Sequence, residues 1–573
     1  MPIWLPPEHS EHAPANRRGR HSVLMHSDDH WMDVNWYELP REDPNLPEVH
    51  TYTNAMSYAP GDEVRFHVSC PAPSWSLEVY RDGAKPHLVH SADDLRASFV
   101  PAPEAAYKSG CGWPVRHVWR IPADTRSGFY RIVSVCHRPD GSRFLQHHFL
   151  VVRPTPETRS GPLLMVLPTA TWTAYNGWGG ANHYEGIEGP NGQEPSPVLS
   201  LQRPWARGFV WLPEGAPRIC EPPPEPGAAP RYPVRDWSYA NGFAQYSSSA
   251  GWAQFDRHFV RWAEREGYKL DIITQTDLES HADLLSNYCC LVVVGHDEYW
   301  SAPMRSAVDA FVSDGGGVAR FAGNFLWQIR LEQGGDRQVC YKFRAPEQDP
   351  VRGTDKARLL TTLWEAPEVN WPGAATFGVN GMEGLYAGWG GFTPRGQRGF
   401  TVYRPKHWIF GDTGLSYADI FGDEARIFGY EVDGLDYTFI DGLPYPTGRD
   451  GAATDIEILA MAPAVLAEAQ QQGPGVRMYI ADSDLRALVR LMTGSEDEVA
   501  LARYRYGSGM VVAMRKGRGE VITAGSCEWV MGLTRNDPTT QQITRNILNR
   551  FVSLQSRRTL RHRRTRGSER PAD

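Results

Sequence analysis

Cys290-Leu291-Val292-Val293-Val294, running straight into Gly295-His296-Asp297-Glu298-Tyr299-Trp300-Ser301, is the stretch on which the fold turns. This apolar run is too short for a helix and too continuous for a strand with one wet face, so it reads as a strand buried on both sides. Met304–Ser313 then has the apolar spacing of a helix, and Gly317–Phe321 reads as a further strand. Strand, helix and strand in this order form a crossover unit, and crossover units build parallel sheets. The same texture extends both ways: Leu163–Leu167, Lys269–Thr274 and Glu520–Thr523 read as strands, Phe255–Gly267 and Thr539–Leu554 as helices. The expected fold is α/β with a largely parallel, doubly wound sheet. Gly189–Pro233 and Arg344–Pro405 are too long for plain connections and are expected to be functional loops.

From Tyr52 to Val152 the pattern changes to period two with turn punctuation. Glu63-Val64-Arg65-Phe66-His67-Val68 follows the turn Pro60-Gly61-Asp62, and Ser76-Leu77-Glu78-Val79-Tyr80 precedes Arg81-Asp82-Gly83. Such half-buried antiparallel strands suggest an immunoglobulin-like β-sandwich. The expected organisation is an N-terminal extension (1–44), the sandwich (45–155), the α/β domain with long loop insertions (162–553), and a basic disordered tail (554–573) carrying Arg557, Arg558, Arg561, Arg563, Arg564, Arg566 and Arg570. With 59 Lys and Arg against 67 Asp and Glu, a net charge of −8 and 41% hydrophobic residues, the composition excludes a disordered chain. No apolar run approaches the roughly 18 residues of a membrane span, and no secretory signal is visible, so a cytoplasmic protein that engages neither membrane nor nucleic acid is expected. The 8 cysteines show neither disulfide-scaffold density nor metal-knuckle spacing and read as reduced structural thiols.

Ligands of open α/β sheets bind beyond the carboxyl ends of the strands. After Leu163–Leu167 comes a loop rich in glycine and aromatics, Pro168 to Tyr184, which holds Tyr175; after Cys290–Val294 come His296 and Glu298; after Gly317–Phe321 comes Asn324. Singly, each has an ordinary reading: Tyr175 as a core aromatic, His296 and Glu298 as a capping cluster, Asn324 as a turn residue. Together, a carboxylate, an imidazole and a phenol in one crevice either bind a metal or share protons, because their desolvation is otherwise uncompensated. Carboxylate and phenolate are hard oxygen donors, suited to Fe(III) more than to Zn(II) or Mg(II). Such a centre is a Lewis acid. No HExxH, GxSxG, P-loop or GxGxxG stands at a strand-to-helix junction, so phosphate chemistry and serine hydrolysis have little support.

Thr171-Trp172-Thr173-Ala174-Tyr175-Asn176-Gly177-Trp178-Gly179-Gly180, Gly295 to Ser301, Phe428-Gly429-Tyr430-Glu431-Val432-Asp433-Gly434 and Ala524-Gly525-Ser526-Cys527-Glu528-Trp529 closely resemble the large-subunit (beta) family of N,N-dimethylformamidase, over roughly Pro162 to Val552. The resemblance implies a mononuclear iron amidohydrolase acting on a small linear amide, with a flavodoxin-like, class I glutamine amidotransferase-like domain behind the sandwich. It places Glu298 and Tyr175 among the metal ligands, which in the family are two tyrosinates and one glutamate. His296, Asn324 and Lys342 match polar residues around the metal, and Glu431 matches a nearby acid. In that role Glu431 or His296 would move the proton, and Asn324 or Lys342 would stabilise the oxyanion. A small partner subunit and a homo-oligomer are also implied.

One position departs from the family. Its second tyrosine lies in an Arg-Pro-Tyr segment, and the matching stretch here is Arg203-Pro204-Trp205. An indole N–H is only a donor and cannot ligate iron. Tyr184, Tyr239 or Tyr299 can take its place, or the site holds another metal or none. Two functions therefore follow: a metal-dependent, iron-containing hydrolase of an amide or related C–N bond, or a non-catalytic ligand-binding or scaffold protein that keeps the amidase fold.

Overall fold

The computed structural model describes residues 37–567 apart from 41, 44, 188–193, 219–232, 388–396 and 466–481. Most of the expected N-terminal extension and part of the loop Gly189–Pro233 lie outside the described residues.

The central sheet contains β1 (Leu163–Leu167), β2 (Leu270–Thr274), β3 (Cys290–His296), β4 (Gly317–Gly323), β5 (Asn380–Ala387), β6 (Tyr430–Gly434), β7 (Glu457–Val465), β8 (Tyr506–Lys516) and β9 (Gly519–Gly525). Their order is β2-β1-β3-β4-β9-β8-β7-β5-β6, with Phe400–Val402 and Ile420–Phe421 pairing off this path. From β2 to β9 the strands run parallel; from β9 to β6 they run antiparallel. The continuous apolar runs have a direct cause. Leu163, Met165, Cys290, Val292 and Val294 enter one core, while Leu164, Val166, Leu291 and Val293 enter the core on the other face. Residues Phe259 and Trp262 of the helix Arg257–Arg265 cover the first face, and Met304, Val308 and Phe311 of Ala302–Ser313 cover the second.

The antiparallel half is the part that the parallel reading omits. β5 lies inside Arg344–Pro405, which reads as loop because glycine and glutamate interrupt its apolar pattern. The closing helix spans Pro538–Gly567, running into the segment expected as a disordered tail. Among the described residues, no helix is long and apolar enough to cross a membrane.

Ahead of this sheet, Ser57–Tyr58, Trp75–Asp82, Pro86–Leu95, Gly128–His137 and Arg143–Val152 form one sheet, and His50–Thr53, Glu63–Ser69 and Val115–Arg120 another. The two sheets share a core that includes Val64, Phe66, Trp75, Leu77, Ile132 and Leu150. This unit docks firmly on the α/β part. The rings of Phe129 and Trp252 stack 3.9 Å apart at 4°, the Trp252 indole N–H donates to Asp82 at 2.8 Å, and Arg81 pairs with Glu264 at 2.5 Å. Trp205 belongs to this interface, packed against Phe149 at 5.3 Å and Trp172 at 6.5 Å between ring centroids.

One buried ion triad ties the strand ends together. Arg320 of β4 donates to both oxygens of Asp297, at 2.8 and 2.5 Å, and pairs with Asp433 of β6 at 2.7 Å. None of the three side chains is exposed. Removing one member of such a network leaves uncompensated buried charge, whereas replacing all members with apolar groups can be neutral. Arg320→Met is therefore expected to cost about 3–5 kcal/mol, read as a lower midpoint in urea unfolding. The triple change Arg320→Met, Asp297→Leu, Asp433→Leu is expected to recover much of that loss.

Candidate functional site

The site sits where β3, β4 and β9 end and β6 begins. Gly295 adopts φ 79°, and a Cβ there would fall 2.4 Å from the Phe255 Cβ, so only glycine fits the turn that aims His296 and Glu298. A Cβ on Gly323 would lie 2.3 Å from the Glu431 carbonyl oxygen and 2.9 Å from the Cys527 nitrogen. Its absence lets β6 and the turn after β9 close over the end of β4. Asn324 follows with φ 65°, and Lys342 has φ 51°, strained values for residues with side chains.

His296, Glu298, Asn324, Tyr175, Lys342 and Glu431 are all buried. His296 Nε2 lies 2.6 Å from Glu431 Oε2 and 3.4 Å from Glu298 Oε2. Its Nδ1 faces the Ser249 carbonyl at 2.7 Å and must donate there, which leaves Nε2 to face the carboxylates. Asn324 Nδ2 donates to Glu431 Oε2 at 2.8 Å. On the other side, the Tyr184 hydroxyl contacts both Glu298 oxygens at 2.7 Å, the Tyr299 hydroxyl donates to that of Tyr184 at 2.9 Å, and the Trp327 indole donates to Glu298 at 2.8 Å. Tyr175 stacks on Tyr184 with centroids 4.4 Å apart. Lys342 Nζ stands 3.4 Å from the Tyr184 ring centroid and 4.8 Å from that of Trp327.

The expected residues thus converge. Of the three alternative tyrosines, Tyr184 meets Glu298 directly and Tyr299 through one hydroxyl. Cys527 is the residue that the sequence reading missed: donor atoms of His296, Glu431 and Cys527 lie within 4.8 Å of one another, a group that could hold a metal ion. Cys527 lies just past the end of β9, so the strand-end rule that singled out His296 also points to it.

Burial pulls the His296 pKa down, but the Glu431 carboxylate outweighs it, with help from Glu298, and raises it to about 9. Burial lifts Glu298 above the usual carboxylate range although His296 and Lys342 oppose it. Burial, then the charge of Glu298, pushes the phenols of Tyr175, Tyr184 and Tyr299 far above their ordinary value. Because His296 gains affinity for its proton on folding, its stabilising contribution is complete below the ordinary value of 6.5 and is lost as pH rises through about 9. Glu431→Gln should let burial win and drop the His296 pKa below 6.5, measured by NMR titration of its imidazole. A value unmoved near 9 would contradict the assigned cause.

The family described as "N,N-dimethylformamidase beta subunit-like, C-terminal" matches residues 76–542. The match begins inside the sandwich, well ahead of Pro162. Two curated relatives, the N,N-dimethylformamidase beta subunits of Alcaligenes sp and Paracoccus aminophilus, are each 24% identical over 306 residues, which is 52% of this chain and 36% of theirs. The chain therefore spans about a third of the length of the curated relatives it matches. A solved structure, the sporulation control protein Spo0M of Bacillus subtilis, is 18% identical over 20% of this chain and 51% of its own, with a TM-score of 0.15, too low to bear on the fold. Matched from residue 76 to residue 542, the chain belongs to the N,N-dimethylformamidase beta subunit-like family.

Proposed function

We propose that the protein is a metal-dependent hydrolase of a small linear amide, with iron as the metal. The observation that carries this reading is the buried carboxylate of Glu298 under the Tyr184 hydroxyl, with Tyr175 stacked alongside. Carboxylate and phenol oxygens fit a hard trivalent cation, which would displace the phenol protons. Tyr175, Tyr184 and Glu298 would hold it, with Tyr184 supplying the phenol that Trp205 cannot. When bound, iron would supply a Lewis acid for the amide oxygen.

The chain's own residues divide the remaining work. Glu431 and His296 share a proton across 2.6 Å and are placed to deliver it to the departing nitrogen. One N–H of the Asn324 amide donates to Glu431 and supports a role in orienting that acid, and the second N–H or the cationic Lys342 would steady charge on oxygen. A cavity lined by Tyr37, Phe144, Phe243 and Tyr246 has Tyr175 in its wall and supports substrate access from the sandwich side. The strand order β2-β1-β3-β4-β9 in the parallel half supports the flavodoxin-like, glutamine amidotransferase-like reading. The relatives' designation as a beta subunit supports a partner subunit for this chain as well.

Glu298→Gln is expected to abolish both iron retention and amide turnover, whereas a non-catalytic binder would keep its ligand affinity. Tyr184→Phe should remove much of the visible tyrosinate-to-iron absorption, and Trp205→Tyr should leave iron content unchanged. Metal content by mass spectrometry and the visible spectrum test all three. Glu431→Gln should retain iron but lose roughly 10²–10⁴-fold in turnover.

A further inference from the structure

We propose that His296, Glu431 and Cys527 form a site for one borderline-soft divalent cation, of the Zn(II) or Co(II) class, separate from the hard-oxygen set of Tyr184 and Glu298. The three donor atoms lie within 4.8 Å of one another and all three residues are buried. A nitrogen, an oxygen and a sulfur donor are the ligand types of tetrahedral zinc sites that keep a fourth position open. Thiolate and carboxylate together neutralise a divalent ion, whereas the set of Tyr175, Tyr184 and Glu298 offers oxygen donors suited to harder cations.

The surroundings have the form of an outer shell. Metal-binding imidazoles characteristically donate their other N–H to a carbonyl or carboxylate, and ligating carboxylates are themselves hydrogen-bonded. Here the Ser249 carbonyl takes Nδ1 of His296 at 2.7 Å, and Asn324 Nδ2 donates to Glu431 at 2.8 Å. The Cys527 backbone N–H donates to the Glu431 carbonyl at 3.1 Å, so the thiol and the carboxylate are carried on directly bonded backbone. Gly323 makes room for that contact. Binding requires the His296 to Glu431 hydrogen bond to open and the imidazole Nε2 and the buried Cys527 thiol to give up their protons to the medium as the cation enters.

The cation would take both proton-carrying groups as ligands, so a soft metal inhibits amide turnover. That consequence rests on the function proposed above; the binding itself does not. The test uses the purified full chain, freed of metal with a chelator and titrated with Co(II) without oxygen. One Co(II) per chain with a near-ultraviolet thiolate-to-cobalt band and tetrahedral visible bands is expected. Cys527→Ser should erase the thiolate band and weaken binding at least about tenfold, in line with losses from ligand-shell changes, and His296→Gln should weaken it similarly through a different ligand. Glu298→Gln should keep the band even where iron is lost, which separates this site from the iron site. Absence of a thiolate band in the wild type, its survival in Cys527→Ser, or its loss in Glu298→Gln would each overturn the proposal.

Discussion

Arg320 holds Asp297 and Asp433 at once, and the site's geometry depends on that grip. Asp297 stands between His296 and Glu298, and Asp433 lies on the strand that begins with Tyr430 and Glu431. Fixing those two carboxylates fixes the backbone from which His296, Glu298 and Glu431 project. Three charges with no exposed surface cannot shift singly, because any partner left behind is a buried, unpaired ion. The triad contributes little net stability against an apolar alternative, so its effect is to specify one arrangement. It joins β4 of the parallel half to β6 of the antiparallel half, two strands that are not neighbours in the sheet.

With the frame fixed, the balance of charge inside it sets the chemistry. Glu298 and Glu431 face the His296 imidazolium and the Lys342 ammonium, so the cluster is close to neutral through its own residues. The phenols of Tyr184 and Tyr299 form a chain of hydrogen bonds ending on Glu298. Burial is thus compensated without drawing on any added ion, and folding of the site is separable from loading it. A structural zinc module behaves in the opposite way, since its ligands have no other partners.

The half of this arrangement that was legible from the sequence is the half built from continuous apolar strands. β1, β3 and β4 announce themselves because successive residues enter opposite cores, and Arg320, paired with Asp297 and Asp433, is the one charge within the runs Leu163–Leu167, Cys290–Val294 and Gly317–Phe321. The rim residues His296, Glu298 and Asn324 follow by position, directly after those strands. Glu431 did not follow from pattern: it lies 107 residues from its partner Asn324, on a strand added antiparallel to the far side of the sheet, and only the family resemblance pointed to it. β5 and β7 were obscured by glycine, glutamate and proline within them. Cys527 was passed over because a buried thiol is by default an inert small hydrophobe. Its place after β9 was a usable signal, but its significance comes from His296 and Glu431 beside it in space. The Trp205 departure has a spatial answer too, since that residue packs under the sandwich while Tyr184 reaches Glu298.

His296 stands between the two sets of donors, 3.4 Å from Glu298 and 2.6 Å from Glu431. Its proton is held by two carboxylates and sits where any cation bound on either side would be felt. A metal on the Tyr184 side withdraws the negative charge of Glu298 and adds positive charge, which reverses the influence that keeps the imidazole protonated. Under the proposed function, loading that side would favour release of the His296 proton, with Glu431 held 2.6 Å away to take part in its transfer. A metal on the Cys527 side instead consumes the imidazole nitrogen itself. One histidine, held by the Ser249 carbonyl so that only Nε2 is offered, would thus couple the state of a metal bound on either side to the state of the acid.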